Sequence, residues 1–140
     1  MKKTLILILT MTIPAMACLA QTNLKQKNEK FLTGHWKLDT MYMDIDLSDE
    51  YMEIFRAKYK ELKKETEFIF RPDGSYTKLS TEPPRQGQWS ISQNGKIIII
   101  EFDDSDEVSK TRIRSLSEDK MDMEPVGDAT NTRVLLHKTE

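Results

Sequence analysis

The sequence predicts an all-β protein: an eight-stranded antiparallel barrel with one helix inserted between strands 1 and 2. Three observations predict it. Short alternating stretches recur along most of the chain, turn signals such as Pro72-Asp73-Gly74 and Asn94-Gly95 separate them, and only Asp46 to Glu65 changes to a helical period. Hairpin-linked strands at regular spacing favour a barrel or sandwich over a parallel sheet.

The chain opens as an export signal spanning residues 1–20. Met1-Lys2-Lys3 is positive, Leu5 to Leu9 is apolar, and Ala15, Ala17 and Ala20 are the small residues a signal peptidase reads. Threonines and Pro14 interrupt the apolar run, which falls short of the roughly 20 apolar residues that span a bilayer core. Two cleavage readings stay open. Cutting after Ala20 releases a soluble protein that is periplasmic or extracellular. Cutting before Cys18 leaves a lipidated cysteine and a membrane-anchored lipoprotein, although Ala15 stands where a lipobox normally has Leu. Cys18 is the single cysteine, so a product cut after Ala20 has no disulfide and depends on packing.

Residues 21–140 amount to one domain's worth of chain. Residues 21–30 are polar and lysine-rich and read as a flexible lead-in to a domain over 31–140. The whole chain carries 21 basic against 23 acidic residues, and no basic stretch is long enough for nucleic acid.

In strand 1, Gly34 to Tyr42, alternation places Trp36, Leu38, Thr40 and Tyr42 on one face. The helix follows, with Tyr51, Phe55, Tyr59 and Leu62 at helical spacing and expected to face inward across the barrel. Asp46 or Ser48 can cap it, acids crowd its start and lysines its end. Seven more strands are expected: Thr66 to Arg71, Ser75 to Ser80, Gly87 to Ser92, Lys96 to Phe102, Val108 to Leu116, Lys120 to Pro125 and Thr132 to Lys138.

The turns fix the register. A three-residue loop at Pro72-Asp73-Gly74 pairs Arg71 with Ser75, Phe70 with Tyr76 and Phe68 with Lys78. A two-residue turn at Asn94-Gly95 pairs Ile91 with Ile98 and Trp89 with Ile100, with Phe102 continuing that face. The hairpin at Ser117 to Lys120 aligns Leu116 with Met121 and Arg114 with Met123.

Gly34-His35-Trp36 opening the first strand, Phe68-Ile69-Phe70 ahead of Asp73-Gly74-Ser75-Tyr76, and Gly87-Gln88-Trp89 together resemble the bacterial lipocalin-like proteins, which have calycin-type barrels. The resemblance spans about Leu32 to His137. It implies that Trp36 forms the floor of the barrel with Arg133 as its late cationic partner. The chain departs from true lipocalins in lacking a Thr-Asp-Tyr motif and in placing its helix after strand 1, so their ligands do not carry over.

Asp44 to Ser48 imitates a calcium loop, but Asp49 stands where Gly is needed and Phe55 where Glu is needed. Asp103 to Glu107 reads as a solvated hairpin tip. His35 and His137 have no second ligand at metal spacing. With no Gly-x-Ser-x-Gly elbow, and no thiol once Cys18 is removed, covalent catalysis has no machinery. The expected protein is non-enzymatic, monomeric and free of metal or cofactor.

Its expected ligand-binding residues are Phe68, Phe70, Tyr76, Lys78, Trp89, Arg112, Arg114, Met121 and Met123. Aromatics and adaptable methionines suit a small apolar or amphipathic guest, yet the same set can simply fill the barrel, since eight strands enclose either side chains or one small ligand. If Met121 and Met123 point inward, Arg112 and Arg114 share their face while Lys78 shares that of Phe68, and these cations can line the mouth and receive an acidic head; a bulge in the Val108 to Leu116 strand instead turns Ile113 inward and both arginines to solvent. The two functional readings are a barrel that binds a small molecule, and an envelope module with a filled core that binds a protein or glycan by its outer face.

Overall fold

The computed structural model describes residues 20, 23–80, 82–127 and 131–139. The export signal and Cys18 lie outside them, apart from Ala20. The architecture is a closed barrel in which eight antiparallel strands pair in sequence order and the first meets the last. The strands are β1 (Gly34–Tyr42), β2 (Glu67–Phe70), β3 (Ser75–Leu79), β4 (Arg85–Ile91), β5 (Ile97–Phe102), β6 (Val108–Leu116), β7 (Lys120–Pro125) and β8 (Arg133–Lys138). Helix α1 occupies residues 23–32, and helix α2 (Asp49–Glu65) lies between β1 and β2 as expected. Among the described residues no helix is long and apolar enough to cross a membrane.

The turn-derived register holds at three hairpins: Phe70 pairs with Tyr76, Ile91 with Ile98 and Leu116 with Met121. At the first, Gly74 takes the left-handed conformation at φ 87°, and the Asp73 carboxylate accepts from the Ser75 N–H at 2.9 Å. The second turn differs from the two-residue form. Gly95 N–H donates to Ser92 O at 2.9 Å, and of the Asn-Gly pair only Gly95 has positive φ. Gly87 matters for closeness: a Cβ there would stand 2.2 Å from the Glu101 carbonyl oxygen on β5.

Two bulges change which side chains face inward. In β1 the register against β8 shifts between Leu38 and Thr40. Met41 therefore packs on the core, while Tyr42, expected inside, is 53% exposed. In β6 the shift falls between Ile113 and Ser115, so Met123 pairs with Ile113 and not with Arg114. The cause is the same in both strands. Apolar residues stand three apart, Leu38 and Met41 or Ile113 and Leu116, and only an extra residue between them points both into the barrel.

The stretch expected to be a flexible lead-in is a helix, which corrects that reading. Leu24, Asn28, Phe31 and Leu32 recur at helical spacing, and Asn28 and Leu32 are buried. Asn28 Nδ2 donates to Gly95 O at 2.8 Å, docking α1 on the β4–β5 turn. A Cβ on Gly95 would lie 2.8 Å from the Lys25 nitrogen, so glycine admits the helix as well as the turn.

The carbonyls that end α1 find three partners. Thr33 donates to Glu29 O, the Trp36 indole N–H to Leu32 O at 2.7 Å, and Lys138 Nζ to Phe31 O at 2.7 Å and Thr33 O at 2.9 Å. Lys138 Nζ also stands 4.9 Å from the Trp36 ring centre, and burial pulls its ammonium below the usual lysine range. Trp36 is thus the floor, but its cationic partner is Lys138. Arg133 is bound instead to Asp122, 2.9 Å from Nε, and faces Tyr42. The register explains it: Trp36 pairs with Lys138 at one end of the β1–β8 ladder, and Arg133 with Tyr42 at the other.

The fully buried side chains Leu32, Trp36, Ile98, Met121 and Leu136 gather at the α1 end, where Ile91 joins them. The opposite end carries α2, which has no buried residue. Tyr51, expected to face inward, is 64% exposed. Phe55 stacks on Tyr59 at 6.2 Å, and of the four residues expected to face inward Tyr59 and Leu62 reach the barrel. The Tyr59 hydroxyl occupies the β1 bulge, accepting from Met41 N–H at 3.0 Å and donating to Asp39 O at 3.3 Å. Ser48 is the N-cap, without a side-chain hydrogen bond.

If α1 is part of the core, Leu32→Ala costs about 2–5 kcal/mol of stability, as buried leucines do. Urea unfolding measures this. A loss within about 0.5 kcal/mol, the range of surface substitutions, would show that α1 is not packed.

Candidate functional site

The barrel interior is hollow toward the α2 end. One cavity of about 350 Å³ lies beneath α2, with Leu62 and Thr66 from the end of the helix meeting Leu38, Met41, Phe68 and Val134. A second of about 270 Å³ is walled by Phe70, Tyr76, Ile98, Ile100, Phe102, Ser109 and Thr111. Phe68, Lys78 and Met123 line both, so the two stand side by side. Their walls are largely apolar with few polar groups, the make-up of a small-molecule site.

The strands place these side chains by simple alternation. β2 and β3 pair Phe68 with Lys78 and Phe70 with Tyr76, and the same layer continues through Gly87 to Phe102. Phe70 and Tyr76 lie 5.1 Å apart, Tyr76 and Phe102 meet edge to face at 6.1 Å, and Phe70 meets Trp89 edge to face at 5.8 Å. Burial pushes the Tyr76 hydroxyl above its usual range.

The rim of the second cavity is closed electrostatically. Arg85 binds Asp104 through both Nε (3.1 Å) and Nη2 (2.9 Å), reaches Glu107 at 3.1 Å, and lies 3.7 Å over the Phe102 ring. These hydrogen bonds raise Arg85 further above its usual range and hold the Asp104 carboxyl below its own. Arg85 is therefore neutralised.

Lys78 is different. Among the described residues it has no hydrogen bond or ion pair, and it is half-buried on the wall of both cavities. The Thr66 hydroxyl is also without a partner, in a residue only 5% exposed. Such a buried orphan costs about 1–3 kcal/mol.

Of the expected site residues, Phe68, Phe70, Tyr76, Lys78 and Met123 line the cavities. Met121 is fully buried in the closed end, and Trp89 faces a shallow groove beside α1, its indole donating to Arg71 O at 2.9 Å. Arg112 and Arg114 are corrected: the β6 bulge puts both on the outer wall, with side chains 56% and 47% exposed. There they share Glu124, at 2.7 and 3.0 Å, and hold its carboxyl below the usual range. Sequence reasoning missed Arg85, although extending strand 4 by one alternation before Gly87 reaches it. Leu62, expected from helical spacing to face inward, does line the first cavity although it was not counted among the binding residues, and Thr66 was missed because no sequence signal says where a helix end meets a barrel. Among the described residues no group of three metal-ligating side chains assembles.

This geometry defines an up-and-down antiparallel barrel, plugged at one end and hollow at the other. Residues 32–123 match the lipocalin-like domain family, and the chain belongs to it. Two solved structures share the fold. A DUF4847 family protein from Bacteroides vulgatus matches with TM-score 0.58 at 13% identity, over 81% of this chain and 99% of that one. A lipocalin-like protein from Bacteroides uniformis matches with TM-score 0.52 at 12% identity, over 77% and 98%. A search of curated proteins found no match.

The Asp104 carboxyl has a folded value below its unfolded one, so the Arg85 pair stabilises fully above the unfolded value and is lost as pH falls through the folded one. Following the carboxyl carbon by NMR should give a midpoint below 3.8, which rises to the ordinary range in Arg85→Met. An unchanged midpoint would mean the pair does not form.

Proposed function

We propose that this protein is a non-enzymatic binding protein that holds one small apolar or amphipathic molecule inside the barrel, reached from the α2 end. The observation that carries the reading is the pair of adjoining cavities sharing Phe68, Lys78 and Met123. The larger lies within the roughly 300–1,000 Å³ of ordinary small-molecule sites. Met123 is a flexible divider, able to yield to a guest that spans both spaces. Membership of the lipocalin-like family supports a binding role. The protein acts outside the cytoplasm as a monomer, delivered by the export signal at its N-terminus, and meets a membrane only if Cys18 is lipidated. An exported product beginning at Gln21, or at a modified Cys18, is expected; a cytoplasmic protein retaining Met1 overturns this.

The second reading, recognition of a protein or glycan by the outer surface, draws on Tyr42, Tyr51 and Ile54, which are apolar or aromatic yet exposed around the α2 end. The hollow interior favours the first.

Titration with decanol separates them. We expect a saturable change in Trp89 fluorescence, since Trp89 touches the cavity wall through Phe70. Met123→Trp, which fills both cavities, should weaken binding by roughly tenfold or more, because each methylene kept out forfeits about 0.8 kcal/mol. No saturable response, or full affinity in Met123→Trp, contradicts interior binding.

A further inference from the structure

We propose that the cavity beneath α2 is a carboxylate site, in which the Lys78 ammonium and the Thr66 and Ser80 hydroxyls take the head of an aliphatic monocarboxylate while its chain runs along Phe68 and Met123. This rests on the reading of the barrel as a small-molecule binder and names the chemical class of its ligand.

Three observations converge. The register that pairs Phe68 with Lys78 and Glu67 with Leu79 brings Thr66 opposite Ser80, one alternation closer to the mouth. All four inward-facing residues of this patch, Thr66, Phe68, Lys78 and Ser80, line the same cavity. Of its polar members, Thr66 keeps a buried hydroxyl with no partner. Ser80 Oγ accepts only a long contact from Glu82 N–H at 3.3 Å, which leaves its O–H to donate. Among the described residues Lys78 is the one cation on the wall of this cavity and has no carboxylate within ion-pair distance. Arg85, on the neighbouring cavity, is by contrast already saturated by Asp104 and Glu107. One ammonium and two hydroxyl-bearing residues on the wall of one cavity suit a singly charged oxyanion that accepts several hydrogen bonds.

The charges nearby set the limit of the site. Glu82, exposed at the rim, is the one acid among the described residues lining this cavity and opposes an anionic head. The C-terminal end of α2 adds partial negative charge, offset by Lys63 and Lys64 in its last turn. A doubly charged head would find a single cation against these, so the class is monocarboxylate.

The test compares decanoate with decanol, equal in chain length and different in charge, on the full mature protein by isothermal titration calorimetry. The wild type should prefer decanoate by about tenfold or more, the usual worth of a charge-assisted hydrogen bond. Lys78→Met should erase the preference while keeping decanol affinity, and Lys78→Arg should restore most of it. Thr66→Val should weaken decanoate more than decanol, and Glu82→Gln should strengthen decanoate alone. Equal binding of both ligands by the wild type overturns the carboxylate site and leaves interior binding standing. Binding of neither overturns both. A preference that survives Lys78→Met also overturns it, since the anion would then be held elsewhere. If Lys78→Met fails to fold, the wild-type comparison and the Glu82→Gln response still decide.

Discussion

The structure depends on how the last carbonyls of α1 are satisfied. A helix that ends against a barrel leaves carbonyl oxygens without internal partners, and burying them unpaired is costly. Trp36 from the first strand and Lys138 from the last supply the donors. Those two residues are also the terminal pair of the β1–β8 ladder, the seam that closes the barrel. One constellation therefore joins the plug, the seam and the floor. Lys138 is partly desolvated there, and it keeps its charge useful by serving two carbonyls and the face of an indole.

Packing is uneven as a result. At the α1 end Leu32, Trp36, Ile98, Met121 and Leu136 leave no solvent access, and the most completely buried side chains of the core gather there. At the other end α2 covers the mouth with few contacts, anchored by one tyrosine hydroxyl in the β1 bulge. A side chain lining a void loses its dispersion partners on that side, so a hollow end is tolerable because the closed end is tightly built. The same division largely separates stability from function: Leu32, Trp36, Met121 and Leu136 seal the barrel and line neither cavity, and Ile98 alone of that set also walls the second.

Much of this was legible in the residues. Pro72-Asp73-Gly74, the turn at Asn94-Gly95 and the Ser117 to Lys120 hairpin set three registers, because turn chemistry is local and carries its own geometry. Phe68, Phe70, Tyr76, Lys78 and Met123 followed from those registers and from period-two alternation. Where alternation breaks, the reading broke with it. The bulges at Asp39 and Arg114 turned Tyr42, Arg112 and Arg114 outward, and their signal was apolar residues three apart in a strand. Helix α1 escaped because Asn28, the middle of its buried stripe, is polar and finds its reason only in the Gly95 carbonyl far along the chain. Lys138 was passed over for Arg133 because the choice depends on which end of the β1–β8 ladder each occupies. Tertiary partners, absent from any local pattern, decided the last two.

The central claim is a barrel sealed at the Trp36 end and hollow at the α2 end. Xenon, which enters empty apolar cavities without needing a polar contact, tests it directly in pressurised crystals of the mature protein. The account predicts xenon between Phe68 and Met123 and none among Leu32, Trp36 and Leu136. Xenon absent from the interior, or seated beside Trp36, would contradict it.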